Sequence, residues 1–426
     1  MSISTLFPVA RHAQPLTALL LTGGGARAAY QVGVLQALSV LRRAHNAHHA
    51  PNPFGILAGT SAGSINATAL ACTADHFDLG IHQLVRHWLS LDTAGVYRSD
   101  HRSLLRTAMR WLRMLAWGWL VPRYRPNWPQ ALLDNGPLHD RLRELLPMER
   151  IPMLLEQGYL HAVAVTASSY TTGEHITFYD TRQPIEPWQR TQRSARLTRL
   201  THSHLLASSA IPFVFPAVAL PADAPTEYFG DGSIRQTAPL SPVIHLGAER
   251  VVVIGAGRVQ TGQKLPPGGV AGYPGLAQVA GHTMASIFLD ALPLDVERMQ
   301  RINRTINLIP EQERARSHLR PLELLVIDPS ERLDTLAMQH MDSMPQGMRK
   351  LLGSWGVQKN TAQPQGAALA SYLMFTPPYI RALMALGHAD TLRRSDEVVG
   401  FFGWDTYCAP AQSAQHTSPS ASSASL

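Results

Sequence analysis

Three short stretches of this chain carry residue types able to perform acyl transfer. Gly59-Thr60-Ser61-Ala62-Gly63 is a G-x-S-x-G run between an apolar stretch and a helical one. That setting makes a sharp strand-to-helix turn, with the serine hydroxyl exposed at its apex and the helix N-terminus aimed at the same spot. Gly59 and Gly63 let the backbone turn without clashes. Gly23-Gly24-Gly25-Ala26-Arg27-Ala28 is a second turn of the same kind. It fits the dinucleotide pattern G-x-G-x-x-G/A, but that reading needs an acidic residue about 20 positions on, and no Asp or Glu precedes Asp75. It also lacks the Gly-Lys-Ser/Thr ending of a phosphate loop. What remains is a set of unhindered amides that would serve as an oxyanion hole. The third stretch, Phe229-Gly230-Asp231-Gly232-Ser233, sets a carboxylate between glycines.

A serine nucleophile needs a base. With 19 histidines in the chain, Ser61, Asp231 and either His245 or His282 would make a triad, whereas Asp231 alone would have to be desolvated to act as a base near neutral pH. Spacing leaves dyad and triad open.

The elements that must position these groups follow from periodicity. Residues 18–21 and 54–58 are apolar runs of strand length, and helices are expected over 26–43 and 64–73. Two strand-turn-helix units in succession predict an α/β fold with a mostly parallel sheet. Further strands are expected at 159–168 and 175–179, joined by the Thr172-Gly173-Glu174 turn, and at 227–229, 250–255 and 322–327. Helices are expected at 204–209, 276–306 and 368–386, the last kinked at Pro377-Pro378. Residues from about 80 to 152, rich in tryptophan and arginine, read as a helical insertion. From 409 to 426 the composition is that of a disordered tail.

Taken together, the glycine run 23–27, the 59–63 elbow and Asp231-Gly232 resemble the three signatures of the patatin-like phospholipase family. The block Ala207-Ser208-Ser209-Ala210-Ile211-Pro212-Phe213-Val214-Phe215-Pro216 resembles the segment before that family's aspartate. The resemblance covers roughly residues 15–257 and implies a three-layer α/β fold that hydrolyses lipid acyl esters with a Ser-Asp dyad and no cofactor or metal. By that resemblance Ser61 is the nucleophile, Asp231 the base, and Gly23, Gly24 and Gly25 the oxyanion hole. Arg27, Gly59, Gly63 and Gly232 support them. Residues 258–408 then form a mainly helical C-terminal region. Two positions depart from the pattern. Ala28 replaces a closing glycine, and Ser233 stands where Ala or Gly is common, so its hydroxyl is expected to hydrogen-bond Asp231 and lower its basicity.

Composition narrows the partners. The chain has 426 residues, 37 Lys+Arg and 30 Asp+Glu, a net charge of +7, and 45% hydrophobic against 16% charged residues, which excludes an intrinsically disordered chain. Three of the cations are lysines, so arginine dominates; codon bias alone produces such a balance, as does an anionic partner. Cys72 and Cys408 make neither a disulfide framework nor a metal-ligand spacing, and His45, His48 and His49, without acidic neighbours, read as a solvated loop. The excess is uneven: seven arginines and one acid lie between Arg98 and Arg125, and residues 1–74 hold four arginines and no acid. Arg102, Arg106, Arg110 and Arg113 share an arc of about 80° on a helix, with Trp111, Trp117, Trp119 and Trp128 nearby. Anionic lipid is therefore the expected partner, rather than nucleic acid, for a cytoplasmic protein peripheral to a membrane. The same segment fits a lid over an acyl pocket or a packed surface helix. A lipid-binding protein that keeps the fold without catalysis is the alternative function.

Overall fold

The computed structural model describes residues 15–98, 109, 131–220, 226–234, 236–257, 279, 282–283, 291–314, 316, 320–354, 357 and 367–406. The amphipathic arginine segment with its tryptophans, Cys408, the tail 409–426 and most of 276–290 lie outside the described residues.

The strands are β1 (Thr17–Leu21), β2 (Ile56–Thr60), β3 (Ala162–Ser169), β4 (His175–Thr181), β5 (Gln189–Arg190), β6 (Arg193–Leu197), β7 (Val218–Leu220), β8 (Glu227–Asp231), β9 (Arg250–Ile254) and β10 (Glu323–Ile327). The helices that matter here are α1 (Ala29–Ala44), α2 (Ala62–Ala71), α3 (Phe77–Leu89), α4 (Gly136–Leu145), α5 (His202–Ser208), α6 (Ser241–His245), α7 (Ala291–Asn307), α8 (Ala367–Leu373) and α9 (Pro377–Leu392). The sheet runs β10-β9-β1-β2-β3-β4-β6-β5, with β8 on β3 and β7 on β8. From β10 to β3 every pairing is parallel; the β3–β4 hairpin and the β3–β8 pair are antiparallel.

Burial explains this order. β1 is buried at every position and β9 at all but its first, as central strands covered on both faces require. Alternate side chains enter opposite layers. Leu19, Leu21, Val252 and Ile254 pack into the core that holds α1, α2 and α9; Ala18, Leu20, Val251 and Val253 pack with Val243 of α6 and Leu292 of α7. The result is a three-layer α/β arrangement. The C-terminal region belongs to this core: β10 extends the sheet beside β9, and α9 lies along α1, where the Tyr30 hydroxyl donates to Asp390 at 3.0 Å.

The expected helix over 368–386 is two helices rather than one kinked helix. Thr376 is extended and Pro377-Pro378 open α9 as its first residues, because proline lacks an amide and pushes the residue before it out of the helical region. The first helix opens with a 3-10 turn at Gly25–Ala28. β8 reaches Asp231, beyond the expected 227–229. His48 and His49 are exposed on a short 3-10 turn. No helix among the described residues is long and apolar enough to cross a membrane.

Candidate active site

Two strands meet head to head on one edge of β3. β2 pairs with β3 up to Thr60 opposite Thr166, and β8 arrives antiparallel with Asp231 opposite the next residue, Ala167. The chain leaves β2 at Ser61 just where β8 delivers its carboxylate. The Ser61 Oγ donates to Asp231 Oδ2 at 2.6 Å, and both residues are buried, at 1% and 0% exposure.

Ser61 has φ 55° and ψ −132°, a left-handed backbone that costs about 1–3 kcal/mol for a residue with a side chain. The surroundings hold it there. The Ser61 amide donates to Ser208 Oγ at 2.8 Å, and Ser208 Oγ donates to the Thr166 carbonyl at 2.7 Å. Gly63 sits so close under the end of β1 that a Cβ would collide with the Leu21 carbonyl oxygen.

Burial pushes the Asp231 carboxyl up to about 6, against the opposing pull of the Ser61 hydroxyl and of Ser233. Ser233 acts in the expected direction: its amide donates to Asp231 Oδ1 at 2.8 Å, and both that amide and the nearby hydroxyl pull the carboxyl down. Asp231 is further fixed by its own amide donating to the Ala210 carbonyl at 2.9 Å.

Neither candidate triad histidine reaches the pair. His245 stacks on Trp188 with ring centroids 4.7 Å apart, and burial with the nearby Arg190 and Arg193 charges lowers its pKa. His282 is exposed. Among the described residues no histidine hydrogen-bonds to Ser61 or Asp231.

The glycine loop lies one strand over. Gly25 has φ 55° and shares the Ser61 pocket, and no protein acceptor among the described residues takes the amides of Gly23, Gly24 or Gly25. The loop is clamped from the C-terminal side. A Cβ on Gly25 would collide with the Tyr372 carbonyl oxygen. Buried Arg27 donates through Nε to Ser371 Oγ at 2.7 Å, and its guanidinium lies 4.1 Å from the Tyr372 ring centroid. Periodicity gives no sign of this role for α8, or of Ser208 and Thr166 as the props of the elbow; these contacts span too much sequence for a local pattern to carry them.

Ser61 opens into a narrow cleft walled by Ile65 and Ala69 of α2, Leu84 and Trp88 of α3, Leu138 and Leu142 of α4, and Ile211, Phe215 and Phe375. The walls are almost entirely apolar, with His87 and Arg141 the main polar side chains besides serines. A hydroxyl bonded to a desolvated carboxylate, beside unspent amides and an apolar cleft, is equipped to attack an ester carbonyl.

No curated protein matches this chain. Among solved structures, VipD from Legionella pneumophila is similar at 14% identity, over 90% of this chain and 67% of that one, with a TM-score of 0.29, a likeness too loose to bear on the site. The family model described as patatin-like phospholipase matches residues 19–244, a span that runs from β1 through Ser61 and Asp231 and takes in more than half of the sequence. The protein belongs to the patatin-like phospholipase family.

Proposed function

We propose that the protein is a lipid acyl hydrolase working through a Ser61–Asp231 dyad. The observation that carries this reading is the 2.6 Å bond from Ser61 Oγ to Asp231 Oδ2 at the floor of an apolar cleft. In the acylation step Ser61 Oγ attacks the ester carbonyl carbon as its proton passes to Asp231 Oδ2. The negative charge then developing on the carbonyl oxygen falls to the glycine-loop amides, of which Gly25 faces the cleft. Collapse expels the alcohol, which takes the proton back from Asp231. Water, deprotonated by the same carboxylate, releases the acyl chain and restores Ser61. The apolar walls favour a medium or long acyl chain over an acetyl group.

A fluorophosphonate probe tests the nucleophile directly. The wild-type chain is expected to be labelled on Ser61, with no labelling after Ser61→Ala. A folded wild-type chain that takes no label would instead be a lipid binder that keeps the fold.

The base has its own signature in pH. Asp231 works only when ionised, and burial raises its pKa to about 6. Measured on an uncharged soluble ester, kcat/KM should therefore be level above that pH and fall about tenfold per pH unit below it. A profile still level at pH 4.5 would mean an ordinary carboxylate and would sink the desolvated-base reading.

A further inference from the structure

Phe213 combines two features that rarely coincide without a use. It is 76% exposed, and its φ of 64° places it in the left-handed region, where a side chain is strained and glycine is not. The strain is enforced by its neighbours: the Leu132 amide donates to the Phe213 carbonyl and the Leu133 amide to the Val214 carbonyl, each at 2.9 Å. The ring itself makes little packing return for that cost, since most of it faces outward. Its place in the chain points to what it meets. Two residues before it Ile211, and two after it Phe215, line the Ser61 cleft, and Ala210 holds the Asp231 amide. One short segment thus fixes the base, walls the cleft and turns an aromatic ring outward between two wall residues.

We propose that Phe213 is an interfacial anchor, inserting its ring into a lipid surface beside the mouth of the Ser61 cleft. This rests on the lipid-hydrolase reading and adds the surface on which the enzyme docks. Ser61 is almost wholly buried, so a lipid ester must leave its layer and enter the cleft. A ring seated in that layer next to the cleft holds the mouth against the substrate's source, and the apolar area it buries supplies affinity.

The test uses the full chain and vesicles of phosphatidylcholine, whose zwitterionic surface leaves bulk charge attraction out. In the Ser61→Ala background, Phe213→Gly is expected to weaken co-sedimentation about tenfold or more, and Phe213→Trp to retain it. With Ser61 intact, Phe213→Gly should lower hydrolysis of vesicular lipid by a similar factor while leaving hydrolysis of a soluble short-chain ester unchanged. Because glycine relieves the left-handed strain, Tm should hold or rise. Unchanged vesicle binding, an equal loss on both substrates, or a fall in Tm would each overturn the anchor. Failure of the intact chain to hydrolyse either substrate would sink the hydrolase reading, while the binding comparison in the Ser61→Ala chain would still decide the anchor.

Discussion

Asp231→Asn is expected to abolish ester hydrolysis and at the same time make the protein more stable. Amide and carboxylate have the same shape, and an Asn would keep both hydrogen bonds, accepting from the Ser233 amide and donating to Ser61 Oγ in place of the bond that now runs from the hydroxyl. What it lacks is basicity. With no acceptor for the Ser61 proton, kcat should fall by about 10³-fold or more, as it should for Ser61→Ala, and the double variant should be scarcely worse than either alone because the two groups act as a unit. Stability moves the other way. The folded carboxyl titrates at about 6, above the unfolded value near 3.9. A carboxyl raised in the folded state binds its proton more tightly there than in the unfolded chain. Its contribution is therefore most favourable at acid pH and is lost as pH rises from about 4 to about 6. At pH 7 the ionised Asp231 costs on the order of 3 kcal/mol, which Asn removes. Thermal unfolding at pH 7, with kcat on a soluble ester, checks both halves. An active Asp231→Asn chain would exclude Asp231 as the base, and a lower Tm would contradict its desolvation.

Gly25→Ala is expected to cost about 10²–10³-fold in kcat, the scale of losing one oxyanion donor. Its φ of 55° disfavours any side chain, and the new methyl group would meet the Tyr372 carbonyl oxygen. Backbone meets backbone there, so no side-chain rotation relieves the contact. The loop must shift away from α8, carrying its amides away from the carbonyl oxygen they are placed to hold. Because the loss falls on the transition state, kcat should drop much more than KM changes, and fluorophosphonate labelling of Ser61 should slow along with it. A folded Gly25→Ala chain with wild-type kcat would remove the glycine loop from the mechanism.

Much of the scaffold was legible because its signals are local. An uninterrupted apolar run over 18–21 reads as a strand buried on both faces, and so does 251–254, since each is of strand length and closely followed by glycine, and a strand covered on both faces gains from apolar side chains at consecutive positions. The serine elbow was equally readable: small residues on both sides of Ser61, between strand and helix, have few other uses. Pro377-Pro378 marks a break that the sequence shows, but its form is a helix start and not a kink, because two successive prolines after an extended Thr376 start a helix more readily than they bend one. The short strands β5 and β7 carry too little pattern to be seen.

Which residues are chemically equipped is readable from their local neighbours: a serine on a sharp turn, an aspartate between glycines, and a loop of bare amides. Each depends on a few adjacent residues and on backbone sterics. Which of them meet depends on the tertiary structure. Ser61 and Asp231 are 170 residues apart and meet because β2 and β8 take successive positions along the same edge of β3. That register left His245 stacked on Trp188, far from the role it was free to claim on paper. Arg27 reaches 344 residues along the chain to Ser371, so α8 braces a loop from the first strand unit. The raised pKa of Asp231 has the same origin, since desolvation is a property of what surrounds a carboxylate, and the residues that surround it come from β3, β8 and the end of α5.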